Sequence, residues 1–291
     1  MPEISPSKRH ASIAVIGGSG LYAMDDLKNA RELRVKTPFG EPSDALVWGE
    51  LEGRAVVFLP RHGRGHRINP SEVNHRANIF ALKSVGVKHI VSVSACGSLK
   101  DELKPRDMVV PDQIFDRTKS RACTFFEKGI VAHVGVADPY CPELSKLLYD
   151  QAASLGFRTH AGGTYVCIEG PQFSTRAESQ VYRSLGFSVI GMTSVPEFKL
   201  AREAEVSYAS VALVTDYDVW KEEPVTVDMV IGNLKANTAN VKRLLKAVVP
   251  ALPESLACDC HDALRYAIIT DPKRIPPKVK KDLKPLIGKY V

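Results

Sequence analysis

The chain has 291 residues, 44% of them hydrophobic, and a formal net charge of +6. That length suits one large α/β domain or two modest ones, and no window approaches the ~18 apolar residues of a membrane span. The polar start from Met1 to His10 lacks a signal-peptide core, so a cytoplasmic protein, with the nucleus also open to it, is expected.

Strands are predicted at 12–17, 45–48, 55–59, 89–94, 108–110, 163–168, 188–191 and 206–214, from short apolar runs bounded by turn residues. Helices are predicted between several of them. One opens at Pro70-Ser71-Glu72, with Ser71 or Asn69 as cap, and runs to Ser84. Others cover 142–155, closed by Gly156, then 175–185, 195–203 and 225–248. Alternating strands and helices imply a single three-layer α/β domain with a central mixed β-sheet flanked by helices. A flexible N-terminus at 1–11, a domain at 12–252 and a C-terminal helix with a basic, Pro-rich tail at 253–291 are the expected divisions. From Asp271 to Val291 there are seven Lys or Arg against two Asp, with four prolines. That composition reads as a solvated tail rather than a nucleic-acid-binding face.

Several strand ends carry residues suited to chemistry. Gly17-Gly18-Ser19-Gly20-Leu21 follows the first strand and can present backbone N–H groups and a hydroxyl to an anion. It also fits the loose dinucleotide pattern, but the acidic residue expected ~20 positions later is absent, which favours phosphate. Arg61-His62-Gly63-Arg64-Gly65-His66 puts four cationic or imidazole groups on one loop, and the Arg fork matches phosphate oxygens. Ser94-Ala95-Cys96-Gly97-Ser98 and Met192-Thr193-Ser194-Val195-Pro196-Glu197 offer small polar residues where a ligand can approach backbone. Phe173, after the Gly170-Pro171 turn, could stack on a base. Asp216 and Asp218 follow a long apolar run from Val206 to Val214, and would face one side if extended backbone persists. Paired acids there could protonate and hold a basic heterocycle; the plainer reading is a helix cap and a solvated acid.

Among six cysteines, Cys96 and Cys167 read as buried, reduced thiols. Cys258-Asp259-Cys260-His261 has ligand-type residues, but no second pair lies at zinc-site spacing, so no metal is expected.

Taken in order, these segments, with Asn74-His75-Arg76-Ala77-Asn78, Glu169-Gly170-Pro171-Gln172-Phe173-Ser174 and Thr215-Asp216-Tyr217-Asp218, resemble the methylthioadenosine phosphorylases of the trimeric purine nucleoside phosphorylase family. The likeness covers roughly residues 12 to 248. It implies phosphate binding by Ser19, Arg61, His62, Ser94 and Thr193. It implies base and ribose contacts from Ala95, Phe173 and Met192, with Asp216 at the imidazole-ring nitrogen of the purine and Asp218 at its exocyclic amine. Val227 and Val230 would line an apolar 5′ pocket completed by His133 of a neighbouring subunit, hence a homotrimer. No cofactor or metal is implied; inorganic phosphate is the co-substrate. The 6-oxopurine-specific sister enzyme has Glu, Asn and His where this chain has Ser174, Asp216 and Val227. Ser19 and Ser94 stand where the vertebrate-type enzyme usually has Thr. The expected reaction is phosphorolysis of 5′-methylthioadenosine to adenine and 5-methylthioribose 1-phosphate, without a role for nucleic acid or membrane. The alternatives are a nucleoside phosphorylase of broader specificity and a nucleotide- or RNA-binding protein.

Overall fold

Successive side chains of a strand face opposite sides of a sheet, and in the two longest strands both sides are apolar. Ile90, Tyr208, Ala212 and Val214 enter one hydrophobic cluster, while Val91, Val93, Ala209, Val211 and Leu213 enter another. Such double burial explains runs without polar alternation and requires helices on both faces. The computed structural model describes residues 10–18, 20–21, 24, 26–221 and 227–291, with the backbone alone for 227–230 and 234.

In chain order the strands are β1 (Ile13–Gly17), β2 (Lys28–Leu33), β3 (Leu46–Leu51), β4 (Arg54–Pro60), β5 (His89–Ser98), β6 (Met108–Val110), β7 (Gln113–Arg117), β8 (Thr159–Ala161), β9 (Thr164–Ile168), β10 (Val189–Gly191) and β11 (Ser207–Asp216). The helices are α1 (His75–Ser84), α2 (Pro142–Ser154), α3 (Arg176–Ser184), α4 (Ser194–Glu203), α5 (Val227–Ala251), α6 (Pro277–Asp282) and α7 (Lys284–Ile287). The sheet runs β2-β3-β4-β1-β5-β10-β9-β7, and β11 lies along β5 and pairs onward through β6 to β8. It is mixed: β1 and β11 are parallel to β5, whereas β10 is antiparallel to it. Helices α1, α4 and α7 cover one face; α2 and α5 cover the other. Among the described residues no helix is long and apolar enough to cross a membrane.

β5 changes partners along one edge. It pairs with β1 as far as Ser92, and with β10 only from Gly97 to Ser98. Between those points Val93 to Cys96 have no strand on that side. A gap of this kind at the carboxyl ends of parallel strands is where open α/β sheets take ligands.

The structure corrects several expectations. Helix α1 starts at His75, because the Asn74 side chain caps it by accepting from the Ala77 N–H at 3.1 Å. Asn69 instead folds a turn, accepting from Ser71 and Glu72, and Ser71 Oγ donates to Glu169 at 2.5 Å. Strands β2, β7 and β8 were not expected: two are largely exposed and polar, and the third has three residues. The tail is not a solvated coil. Ile275, Leu283, Leu286 and Ile287 are buried in the first cluster, Tyr290 donates to Glu205 at 2.5 Å, and Lys289 pairs with the same carboxylate at 2.8 Å. Its lysines face water while the interleaved aliphatics face the core, a periodicity that the charge and proline content hides. Residues 1–9 lie outside the described residues.

Candidate active site

The gap beside β5 opens into a cleft of about 890 Å³. Its walls come from the ends of β1 (Gly18, Gly20), β4 (Arg61, His62), β5 (Ser94 to Gly97), β10 (Gly191 to Thr193) and β11 (Thr215, Asp216), with α5 adding Ile231, Lys235 and Thr238. Arg61, His62, Ser94, Ala95, Phe173, Met192, Thr193, Asp216 and Asp218 therefore share one cavity. Ser19 lies outside the described residues, as do the side chains of Val227 and Val230. His133 is exposed and does not line this cleft.

One end of the cleft suits an anion. Ser94 Oγ is buried without a protein hydrogen-bond partner. Thr193 sits at the start of α4 but does not cap it; its hydroxyl lies 3.4 Å from that of Tyr165. The sequence suggested a guanidinium fork laid on phosphate, and Arg61 is arranged otherwise. It is only 2% exposed, and its fork grips Glu197, Nε to Oε1 at 2.5 Å and Nη2 to Oε2 at 3.1 Å. Nη2 also donates to Ser92 Oγ at 2.7 Å, and Nη1 to the Val93 carbonyl at 3.0 Å. Of five guanidinium donors, one N–H on Nη1 is left for a ligand. Burial pushes the Glu197 carboxyl up, but the Arg61 charge and hydrogen bonds outweigh it and hold it below the ordinary range. His62 donates Nδ1–H to the Ile68 carbonyl at 2.9 Å when neutral. Burial and then the Arg61 charge push its pKa down to about 4, so it is neutral at pH 7 with Nε2 free to accept.

The other end is acidic. Ser94 and Gly97 are three residues apart, about 10 Å of extended strand, and Gly97 pairs with Asp216. A Cβ on Gly97 would lie 2.9 Å from Asp216 Oδ1 and 3.2 Å from Asp218 Cβ, so only glycine admits the carboxylates this closely. Extended geometry does not carry both acids to one side, as the sequence suggested. The β11–β5 register shifts between Val214 and Asp216, and Asp218 turns back at φ 51°. That left-handed conformation is unusual outside glycine and tolerated best by Asn and Asp. Asp216 Oδ1 accepts the Asp218 N–H at 2.8 Å and Oδ2 accepts the Thr215 hydroxyl at 2.7 Å. Both acids are buried, and desolvation raises the pKa of each. Neither is the solvated acid of the plainer reading. Thr215 also lies 3.2 Å from the Cys96 carbonyl, so its hydroxyl can donate to an ionised Asp216 or accept from a protonated one.

The lining at Met192 and around Pro171 depends on a residue the sequence reading missed. Arg121, buried, donates to the carbonyls of Met192, Val195 and Glu169 at 2.7, 2.6 and 2.6 Å. It comes from an irregular segment, where no periodic pattern marks it.

Residues 12–250 match the phosphorylase superfamily. The chain belongs to that superfamily. Among similar phosphorylases, the S-methyl-5′-thioadenosine phosphorylase of Chloroflexus aurantiacus is 57% identical, over 96% of this chain and 98% of the relative. The enzyme of that name from Hyperthermus butylicus is 53% identical over 92% of this chain and all of its own length. A methylthioadenosine phosphorylase from an antarctic soil metagenomic library superposes with a TM-score of 0.92 at 51% identity, covering 96% of this chain and 99% of that one. The Schistosoma mansoni methylthioadenosine phosphorylase in complex with adenine gives 0.82 at 40% identity, covering 88% and 96%.

Proposed function

We propose that this phosphorylase cleaves 5′-methylthioadenosine with phosphate, giving adenine and 5-methylthioribose 1-phosphate. The observation that carries the reading is the pair of buried acids at one end of a cleft whose other end holds Ser94, Thr193, His62 and the remaining Arg61 donor. Relatives that share more than half of this sequence bear the name of that activity. Breaking the glycosidic bond builds positive charge on the ribose and negative charge on the departing purine. Phosphate at the hydroxyl end faces the anomeric carbon and offsets the first. Asp216, whose pKa is raised by its burial, donates in its protonated form to the ring nitrogen of the base and offsets the second. Asp218 accepts from the exocyclic amine, and one of its carboxylate oxygens is buried with no protein partner. Neutral His62 can accept a proton or hydrogen bond from phosphate at Nε2. Ser19 would add a donor from the β1 loop, while Ala95, Phe173 and Met192 pack on base and ribose. Val227 and Val230 would form the 5′ pocket with a neighbour's His133 in a cyclic homotrimer; the exposure of His133 away from its own cleft supports this.

Adenosine is the second substrate to consider, because structures of the Schistosoma relative are named for an adenosine/methylthioadenosine phosphorylase. The test is release of the free base, adenine from methylthioadenosine and adenosine, hypoxanthine from inosine and guanine from guanosine, each with and without phosphate. Phosphate-dependent turnover should be fastest with methylthioadenosine. Inosine or guanosine turning over as well would sink the assignment of Ser174, Asp216 and Asp218 to 6-aminopurine selection.

A further inference from the structure

Away from the cleft, the fold gathers three cysteines that are far apart in sequence. Cys141 stands at the N-terminus of α2, and Cys258 and Cys260 begin the turn Asp259–Asp262. Their sulfurs all lie within 4.8 Å of one another. Cys141 and Cys260 are buried and Cys258 is half-buried. None of the three lines the cleft.

We propose that Cys141, Cys258 and Cys260 form a binding site for a soft divalent cation of the zinc class, with His261 as the nearest fourth donor. Around zinc, thiolates at about 2.3 Å lie roughly 3.8 Å from one another, so the sulfurs need to close by no more than about 1 Å. Ser207 Oγ lies 3.4 Å from Cys258 Sγ and 3.2 Å from His261 Nε2. His261 Nδ1 faces the Glu205 carbonyl at 3.3 Å. That bond makes Nδ1 the protonated nitrogen and leaves Nε2 with its lone pair toward the cluster, the arrangement in which a histidine ligates metal. Exchanging Ser207 for the ion brings the imidazole in as fourth ligand. The charge argues for a dication: three thiolates and one M²⁺ leave a single negative charge, set against the positive end of α2. A monovalent ion would leave two. Binding releases the thiol protons and changes no oxidation state.

The test uses the reduced full-length protein after chelator treatment. Zn²⁺ is titrated against a chromophoric chelator, and Cd²⁺ while the ultraviolet thiolate-to-metal band is followed. The expected result is one ion per chain, a band with Cd²⁺, and a melting temperature that rises with Zn²⁺. Cys258→Ser, at the half-buried corner, weakens binding by more than about tenfold, His261→Ala by less, and Cys123→Ser, at an exposed thiol outside the cluster, not at all. A reduced chain that gives no band overturns the site. So does a band that survives joint replacement of Cys258 and Cys260 by Ser, or protein isolated under reducing conditions with two of these sulfurs in a disulfide.

Discussion

Replacing Arg61 by Ala should do two things that can be measured separately. The first is structural. Arg61 and Glu197 are 2% and 1% exposed, and removing one member of a buried pair leaves the other charge uncompensated, at about 3–5 kcal/mol. Glu197 keeps donors from Tyr208 at 3.1 Å and Ser92 at 3.2 Å, which places the loss toward the lower figure. Domains are typically stable by only about 5–15 kcal/mol, so a melting temperature lower by roughly 5–15 °C is expected. The second effect is on the ligand: one charge-assisted hydrogen bond of about 1.5–3 kcal/mol disappears, which is roughly 10–100-fold in the KM for phosphate. pH tells the two apart. In the native chain Glu197 titrates below its unfolded value, so its contribution is present above the unfolded pKa and is lost as pH falls through the folded one. Without Arg61, burial dominates and the sign reverses. The stability deficit should then shrink toward pH 4–5, near the unfolded Glu value of about 4.3, and grow at higher pH. Adding Glu197→Gln should restore much of the stability and none of the phosphate affinity. Thermal melts across pH and phosphate titrations on both variants supply the readouts. An Arg61→Ala protein that melts with the native one and has an unchanged phosphate KM would refute the reasoning.

Asp216→Asn keeps shape but removes the acidic proton; kcat should fall roughly 10²–10⁴-fold, and the decline of native kcat with rising pH should disappear from the profile. Because burial raises the folded pKa of Asp216, its ionised form costs stability above the unfolded pKa, so the same variant should melt higher at pH 7 than the native chain. Gly97→Ala places a methyl group 2.9 Å from Asp216 Oδ1 and 3.0 Å from Ile190 Cγ2; about 1–3 kcal/mol of stability and a large part of kcat should be lost, and native kcat would remove the tight-fit argument. Arg121→Lys keeps the charge but cannot hold Met192, Val195 and Glu169 with one fork; the nucleoside KM should rise several-fold with phosphate KM little changed, and an equal rise in both would deny it a role confined to the base side.

The strand-end motifs were legible because chemistry and local backbone coincide there. A glycine-rich or small-residue turn after an apolar run marks both a strand's end and a site for a ligand, and Arg61, Ser94, Thr193 and Asp216 all stand at or beside such turns. Partners contributed from elsewhere left no such mark. Glu197 could be named from its motif but not joined to Arg61, since nothing in a sequence distinguishes a guanidinium aimed at a ligand from one gripping a carboxylate 136 residues away. Arg121 has no period to betray it. The tail misled for a related reason: lysines and prolines dominate its composition, while burial depends on Ile275, Leu283, Leu286 and Ile287, whose spacing appears only across three short helical turns. Cys141 and Cys260 likewise meet through the fold alone.

The acids and the fold bear on each other through a single strand. β5 buries apolar side chains on both faces and pairs with β11 along its length, which makes it stable enough to leave Val93 to Cys96 without a partner on the other edge. That stretch is what the cleft is built on. β10 takes over at Gly97, and the space of the missing Cβ there is taken by Asp216 and Asp218. Placing two carboxyls in a desolvated corner, one of them on a left-handed residue, opposes folding, and each would be better hydrated elsewhere. The surrounding core offsets this with apolar packing on both faces of β5 and β11. What results is a carboxyl whose pKa is raised above the ordinary range, the property a proton donor to a leaving purine would need. A more stable corner, with amides in place of acids, would lack that proton.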